Sequence, residues 1–221
     1  MKIAGIFAHP DDETLACGGT IALHSEKKDN ISILLLSEGP RARESKNKYQ
    51  DARQHAKNAC KVLGVNNLEI LTHPDNEMDS VAFINLVKDV EKFISTYKPE
   101  IIYTHHGGDL NIDHELINKA VLTACRPFSE QVVKEIYACE VNSSTEWSFN
   151  SKLTFIPNYF VDISSTISKK IKALNEYKNE IRKFPHPRSP EGLKILSMYR
   201  GMQSGFNSAE AFMLIRKNRK T

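Results

Sequence analysis

The chain has 221 residues, of which 40% are hydrophobic and 26% charged, and its formal net charge is +3. That length suits one α/β domain with a full core, and the composition is that of an ordinary globular protein, not a disordered or membrane-spanning one. No RNA-binding signature, zinc-finger spacing or basic–aromatic interleaving occurs, so nucleic acid is not an expected partner.

In chain order, residues 3–8 read as a short buried strand. A helix is expected over residues 14–28, opened by an acidic cluster and closed by Lys27 and Lys28, which suits the helix dipole. Gly18 and Gly19 inside it point to close packing or a delayed helix start; a GxGxxG fingerprint is absent. Residues 31–36 form a second strand, and the polar stretch 37–48 reads as a loop over the strand ends. Residues 49–63 read as a helix stopped by Gly64, and residues 68–71 as a third strand leading into His73-Pro74-Asp75-Asn76. Asp79 and Ser80 are expected to cap a helix whose apolar face is Phe83, Leu86, Val87, Val90, Phe93, Ile94 and Tyr97, with Pro99 ending it. A fourth strand at 101–103 is followed by a His- and Asp-rich loop to His114 and a helix to residue 124. Residues 132–139 and 158–163 are further strands. Ile167, Ile171, Leu174, Tyr177 and Ile181 mark a long amphipathic helix. A proline-rich loop spans 184–190, and a last helix runs over 192–202. Arg216 to Lys220 reads as a solvated, frayed basic tail.

Cys17, Cys60, Cys125 and Cys139 form no CxxC pair and suit buried thiols in a reducing compartment. The first apolar run is broken at once by His9 and acidic residues, unlike a signal peptide, and no run approaches the length of a membrane span. A cytoplasmic protein without membrane insertion is the expectation.

Four strands alternating with helices predict a mostly parallel sheet with helices on both faces. With strand order 3-2-1-4, strands one and four are neighbours at the switch point, and the loops leaving their carboxyl ends share one crevice. Those two loops carry the chemistry. In His9-Pro10-Asp11-Asp12-Glu13, Pro10 fixes its own φ and biases His9 toward an extended conformation. His9 and Asp12 can then turn to one point while Asp11 projects separately. The competing reading is a polar turn capping a helix. Together with His114, His9 and Asp12 supply two imidazoles and one carboxylate, the donor set of a catalytic zinc with open positions. Asp11 is placed as general base and Asp113 as the residue orienting a ligand or a catalytic side chain.

His9-Pro10-Asp11-Asp12-Glu13, followed by Gly18-Gly19-Thr20, resembles the signature of the LmbE-like, or PIG-L, metal-dependent N-deacetylases, and Asn111-Ile112-Asp113-His114 resembles that family's second motif. The resemblance implies a Rossmann-like three-layer fold with sheet order 3-2-1-4-5 and a C-terminal α/β extension. It implies a single domain over 1–221, with residues 1–125 as the core and 126–221 shaping the substrate site. It also implies zinc (or another divalent metal such as Fe2+) and removal of an N-acetyl group from a glucosamine-type sugar or conjugate. His9, Asp12 and His114 match the metal ligands, Asp11 the general base, and Arg53 an arginine used for substrate contact.

The second motif departs from the family pattern, because Asn111 stands where a histidine is common. Asn donates a hydrogen bond to an oxyanion but is no acid near neutral pH. Either Asp11 makes both proton transfers, or His105 or His106 reaches the site, with His106 preferred. His186 and Arg188 are candidate substrate contacts on the proline-rich loop, and Trp147 is a candidate sugar-stacking or packing residue. Glu140 and Glu210, beside apolar runs, are either paired or exposed.

Three alternatives remain open at this level. A non-haem iron oxygenase shares the two-His, one-carboxylate set. A metal-containing sugar-binding protein with impaired catalysis would follow from Asn111. A nucleotide enzyme is weakened by the missing glycine fingerprint. A homo-oligomer is compatible with all of them.

Overall fold

Near-continuous apolar runs at Lys2–Phe7 (β1) and Asn30–Ser37 (β2) are buried along almost their whole length, the pattern of central parallel strands covered on both faces. They pair with each other in the computed structural model, which describes residues 1–39, 47–128, 131–149 and 152–219. With Asn67–His73 (β3), Ile101–His105 (β4), Glu135–Cys139 (β5), Tyr159–Asp162 (β6) and Ala209–Lys217 (β7) they form one seven-stranded sheet of order β3-β2-β1-β4-β5-β7-β6. The first five are parallel; β7 runs antiparallel to both β5 and β6. The expected order thus holds for β1–β5, and β7 and β6 extend the sheet at one edge.

Helices cover both faces. Asp12–Glu26 (α1), Asn47–Leu63 (α2) and Ile167–Leu174 (α5) pack on one side through Leu15, Ile21, Ala56, Leu63 and Leu174. Phe83–Tyr97 (α3) and Ile112–Ala124 (α4) pack on the other through Leu86, Val90, Phe93, Ile117 and Val121. Pro190–Ser204 (α6) lies against β7. Among the described residues no helix is long and apolar enough to cross a membrane, and all four cysteines are buried and free.

The glycine pair in α1 marks close packing. The helix is broken at Cys17 (φ −144°, ψ 26°), which orphans nearby backbone groups. Glu210 of β7 accepts from Gly19 N (2.8 Å) and Thr20 N (2.7 Å), and Lys170 of α5 binds both Leu15 O (2.9 Å) and Glu210 (2.6 Å). A Cβ at Gly19 would lie 2.8 Å from Ile163.

Several boundaries differ from expectation. The first helix begins at Asp12, because the turn at Asp11 already supplies acceptors for Thr14 N and Leu15 N. A 3-10 turn at Met78–Ser80 precedes α3, whose N-cap is Ala82, so Asp79 and Ser80 do not cap it. The amphipathic pattern over 167–181 is helical only to Leu174; single turns then deliver Tyr177 to Glu13. The last helix starts at Pro190 with Ser189 as cap (Gly192 N to Ser189 Oγ, 2.9 Å). The basic tail was expected to be frayed, but Arg216 and Lys217 belong to β7: Arg216 bonds Cys125 O, and Lys217 lies 3.0 Å from Glu135. Residues 40–46 of the expected loop, and Lys220, lie outside the described residues.

Candidate active site

β1 ends against the sheet switch point, and the chain then turns sharply. Asp11 has φ 106°, a conformation that costs a non-glycine residue about 1–3 kcal/mol and needs support from its surroundings. Glu13 supplies support. It is fully buried, accepts from Asp11 N (3.2 Å), and is itself held by Thr14 Oγ1 (2.6 Å) and the Tyr177 hydroxyl (2.6 Å). The turn also lets His9 N donate to Asp12 Oδ2 (2.8 Å).

Three donor atoms converge there. His9 Nδ1, Asp12 Oδ2 and His114 Nε2 are 3.3 Å apart along each edge of a triangle. Bonds of about 2.0–2.1 Å at tetrahedral angles place neighbouring ligand atoms about 3.3–3.4 Å apart, so the triangle has the dimensions of one face of a zinc tetrahedron. Asp12 Oδ1 is buried with no hydrogen-bond partner. Among the described residues this trio is the one group of His, Cys, Asp or Glu side chains arranged to hold a metal ion.

Further carboxylates stand behind the imidazoles. His9 Nε2 is 2.9 Å from Asp113 Oδ2 and 3.5 Å from Asp75 Oδ1. Asp113 also accepts from Asn76 N (2.7 Å) and Met78 N (3.0 Å), tying the loop after β3 to the site. His114 Nδ1 is 3.1 Å from Asp109 Oδ1, close enough for a charged contact though not aligned as a hydrogen bond. On its far side the His114 ring stacks on His105 (3.8 Å between centroids, 8° between planes), whose Nε2 takes the Ala8 N–H (2.8 Å). Burial opposes charge on His114, but Asp12 and Asp109 outweigh it and raise its pKa to about 9; His9 is likewise raised against burial by Asp113 and Asp12. Burial pushes the Asp12 carboxyl up, yet His114 and His105 hold it well below its usual range. His105 is driven down to about 4 by burial and by His114. The carboxylates therefore draw positive charge onto the two ligand imidazoles, and a divalent cation in the triangle satisfies the same field.

Asp11 is not one of the three donors and has its own partner. Its Oδ2 receives Arg188 Nη1 at 2.9 Å, while Arg188 Nε donates to Ser143 Oγ (2.7 Å) and Nη1 also reaches Glu180 (3.3 Å). Burial pushes the Asp11 carboxyl well above its ordinary value, and Arg188 pulls it back. Asp11, His9 and His114 face a cavity of about 660 Å³, whose walls also include Asp75, Asn76, Leu110, Asn111, Trp147, Tyr177, Glu180, His186 and Arg188.

The structure therefore brings together His9, Asp11, Asp12, Asp113, His114, His186 and Arg188. Other expected residues have different work. Asn111 lines the cavity as the N-cap of α4: its Oδ1 accepts from Asp113 N (2.9 Å) and its Nδ2 donates to Asn76 Oδ1 (2.9 Å). His106 lies off the cavity wall, because its Nε2 bonds Leu153 O (2.8 Å) and its ring packs edge-on against Phe155. The expectation that His106 supplies the missing acid is corrected on that ground. Arg53 also lies off the wall, with Nη1 on Glu38 (2.8 Å) and Nη2 on Ile70 O (3.4 Å). Glu140 and Glu210 prove paired, with Arg200 and Lys170. Tyr177 is the site residue that the sequence does not name, whereas Asp109 and Glu13 stand within its two clusters without an assigned chemistry. Asp109 stood in the His/Asp-rich loop without a role, and Tyr177 gave only a helical-periodicity signal.

The family model described as PIG-L, GlcNAc-PI de-N-acetylase, matches residues 5–125. The uncharacterized deacetylase YaiS of Escherichia coli K12 is 27% identical over 183 residues, covering 80% of this chain and 90% of that one. Among solved structures, the 4-carboxy-2-hydroxymuconate hydratase GalB of Pseudomonas putida KT2440 superposes with a TM-score of 0.79 at 21% identity, covering 100% of this chain and 99% of that one. The N,N'-diacetylchitobiose deacetylase of Pyrococcus horikoshii superposes with a TM-score of 0.78 at 19% identity, covering 97% and 84%. At such identities the structural likenesses establish the fold alone, and that fold carries both a deacetylase and a hydratase. The family match spans more than half of the chain, including the end of β1, its turn and the α4 motif: the chain belongs to the PIG-L family of de-N-acetylases.

Proposed function

We propose that the protein is a zinc-dependent hydrolase that removes the acetyl group from an N-acetylated amino sugar or sugar conjugate. The observation that carries this reading is the 3.3 Å triangle of His9, Asp12 and His114 donors with the Asp11 carboxylate beside it on the same cavity. A zinc ion held by these three residues would bring a water's pKa toward neutrality and polarise the acyl oxygen. Asp11 takes the proton from the attacking water. It returns that proton to the amide nitrogen as the C–N bond breaks, releasing acetate and the free amine. With His106 turned away and Asn111 engaged as a cap, Asp11 makes both transfers. Arg188 orients its carboxylate and favours the charged form that accepts the first proton. Asp113 and Asp109 hold the two imidazoles with their ligand nitrogens facing inward. Residues 126–221 supply Ser143, Trp147, Tyr177, His186 and Arg188 to the cavity, which supports the division into a core and a substrate-shaping part.

The test is metal analysis of the purified protein with an acetate-release assay on N-acetylglucosamine and its glycosides. One equivalent of zinc and stoichiometric acetate are expected. The likeness to GalB supplies the competing outcome: no acetate from any amide, together with water addition to a conjugated unsaturated acid, would replace deacetylation by hydration.

A further inference from the structure

α6 carries its apolar residues on the outside. Its buried residues are Leu193, Ser197 and Gly201, of which only Leu193 is large and apolar. The opposite side of the helix, at offsets of three, four and seven residues, holds Ile195, Met198, Tyr199 and Met202, and these are 48–75% exposed. A helix on a protein surface places charged and polar residues on that side. Phe206, just past the Gly205 C-cap and tied back by its N–H to Gly201 O (3.0 Å), is exposed as well.

The stripe has the size and composition of an interface. At roughly 200 Å² for a fully exposed side chain of this size, the five residues present about 500 Å² of apolar surface, against the few hundred Å² usual on a monomer. Met, Tyr and Phe are residue types enriched in interface cores, from which unpaired charge is excluded. The one arginine of the helix is paired: Arg200 donates to both Glu140 oxygens (2.7 and 2.5 Å). Its guanidinium lies over the rings of Tyr199 (5.2 Å) and Phe155 (5.7 Å), so the segment with exposed Leu153 and Ile156 borders the helix.

We propose that α6 is the contact face between two copies of this chain, packed antiparallel across a two-fold axis near Met198 and Tyr199. The stripe is self-complementary in that arrangement, as a two-fold contact requires: Ile195 of one copy meets Met202 of the other, and Met198 meets Tyr199. A standard interface takes about 800 Å² from each partner; the stripe supplies most of it, and the bordering Leu153 and Ile156 lie where the rest is needed. Antiparallel packing also sets the positive end of each helix dipole beside the negative end of the other. A lipid surface would call for a cationic rim, whereas the fully exposed charges of α6, Glu191 and Lys194, cancel.

The experiment is sedimentation and light scattering of the full chain from low to high micromolar concentration, for the wild type, Ile195→Glu and Met202→Glu. Neither residue lines the cavity or belongs to the core, so both variants are expected to fold with an unchanged Tm. The wild type is expected to run at twice the chain mass, and each glutamate to raise the dissociation constant at least about a hundredfold by placing a charge in the apolar contact. Met198→Cys adds a second readout, since the four native cysteines are buried. It is expected to form a disulfide-linked dimer on mild oxidation, whereas Glu91→Cys, on α3 across the sheet, is not. A larger even-numbered assembly that the glutamates halve supports the same contact. A wild type that stays monomeric overturns it, as does an oligomer that the glutamates leave intact or that Met198→Cys fails to cross-link. A monomer that co-sediments with phosphatidylcholine–phosphatidylglycerol vesicles through Ile195 and Met202 overturns it in favour of a lipid surface.

Discussion

Arg188 Nη1 and Asp11 Oδ2 lie 2.9 Å apart, although the two residues are 177 positions apart in the chain. The guanidinium comes from the loop before α6 and the carboxylate from the strained turn after β1, so the far end of the sequence completes the first motif. Burial pushes the Asp11 carboxyl well above its ordinary range, and the Arg188 guanidinium pulls it back down. Replacing Arg188 with Leu is therefore expected to raise the pKa of the base. The acidic limb of the kcat/KM profile should move to higher pH, and activity at neutral pH should fall about 10- to 100-fold. Arg188→Lys should recover part of the loss. A pH–rate profile with its acidic limb unmoved would remove Arg188 from this role.

Asp11 and the triangle separate into different phenotypes. Asp11→Asn is expected to retain the metal and lose about 10²- to 10⁴-fold in kcat, the range of a general acid–base group. His9→Ala and His114→Ala should instead lose the metal together with the activity. Zinc content of each variant alongside its kcat makes the distinction. An Asp11→Asn protein that hydrolyses at the wild-type rate would exclude this carboxylate as the base.

The active-site half contributed by β1 and α4 was legible in the sequence because its residues are contiguous. His9 to Glu13 and Asn111 to His114 each lie within one short loop, and alternation of strands and helices brings the two loops together. What was not legible depends on distance. Nothing near Tyr177 or Arg188 names Glu13 or Asp11 as a partner. His106 is preferred from the sequence as the missing acid, yet the segment at Leu153 holds it. β7 was hidden because Arg216 and Lys217 at its end suggested a solvated tail, while their actual partners, Cys125 O and Glu135, come from α4's C-cap and β5.

Metal removal should expose the charge built around the triangle. In the metal-free protein the His114 pKa is raised from 6.5 to about 9. A raised folded-state value means that protonated His114 adds stability in full below pH 6.5, and that this contribution is lost as pH rises through about 9. Chelated protein is thus expected to lose thermal stability between those limits. Zinc-loaded protein should hold its Tm there, since the metal occupies the position of the proton. Scanning calorimetry of both forms across this window tests the prediction, and parallel pH profiles would contradict it.

The break in α1 depends on a buried pair from two distant elements. Glu210 and Lys170 are each at most 5% exposed in their side chains and 2.6 Å apart. Glu210 holds Gly19 N and Thr20 N, and Lys170 holds Leu15 O, so the pair replaces hydrogen bonds that the helix loses at Cys17. Glu210→Ala would leave an uncompensated buried ammonium and two orphaned amides, with an expected cost of about 3–5 kcal/mol. Lys170→Met is expected to cost less when combined with Glu210→Gln than the sum of the two single changes, because the neutral amide no longer needs a cation yet its carbonyl still accepts from Gly19 or Thr20. Urea unfolding of the two single variants and the double variant measures the coupling. Additive losses would show that Lys170 and Glu210 act on α1 independently.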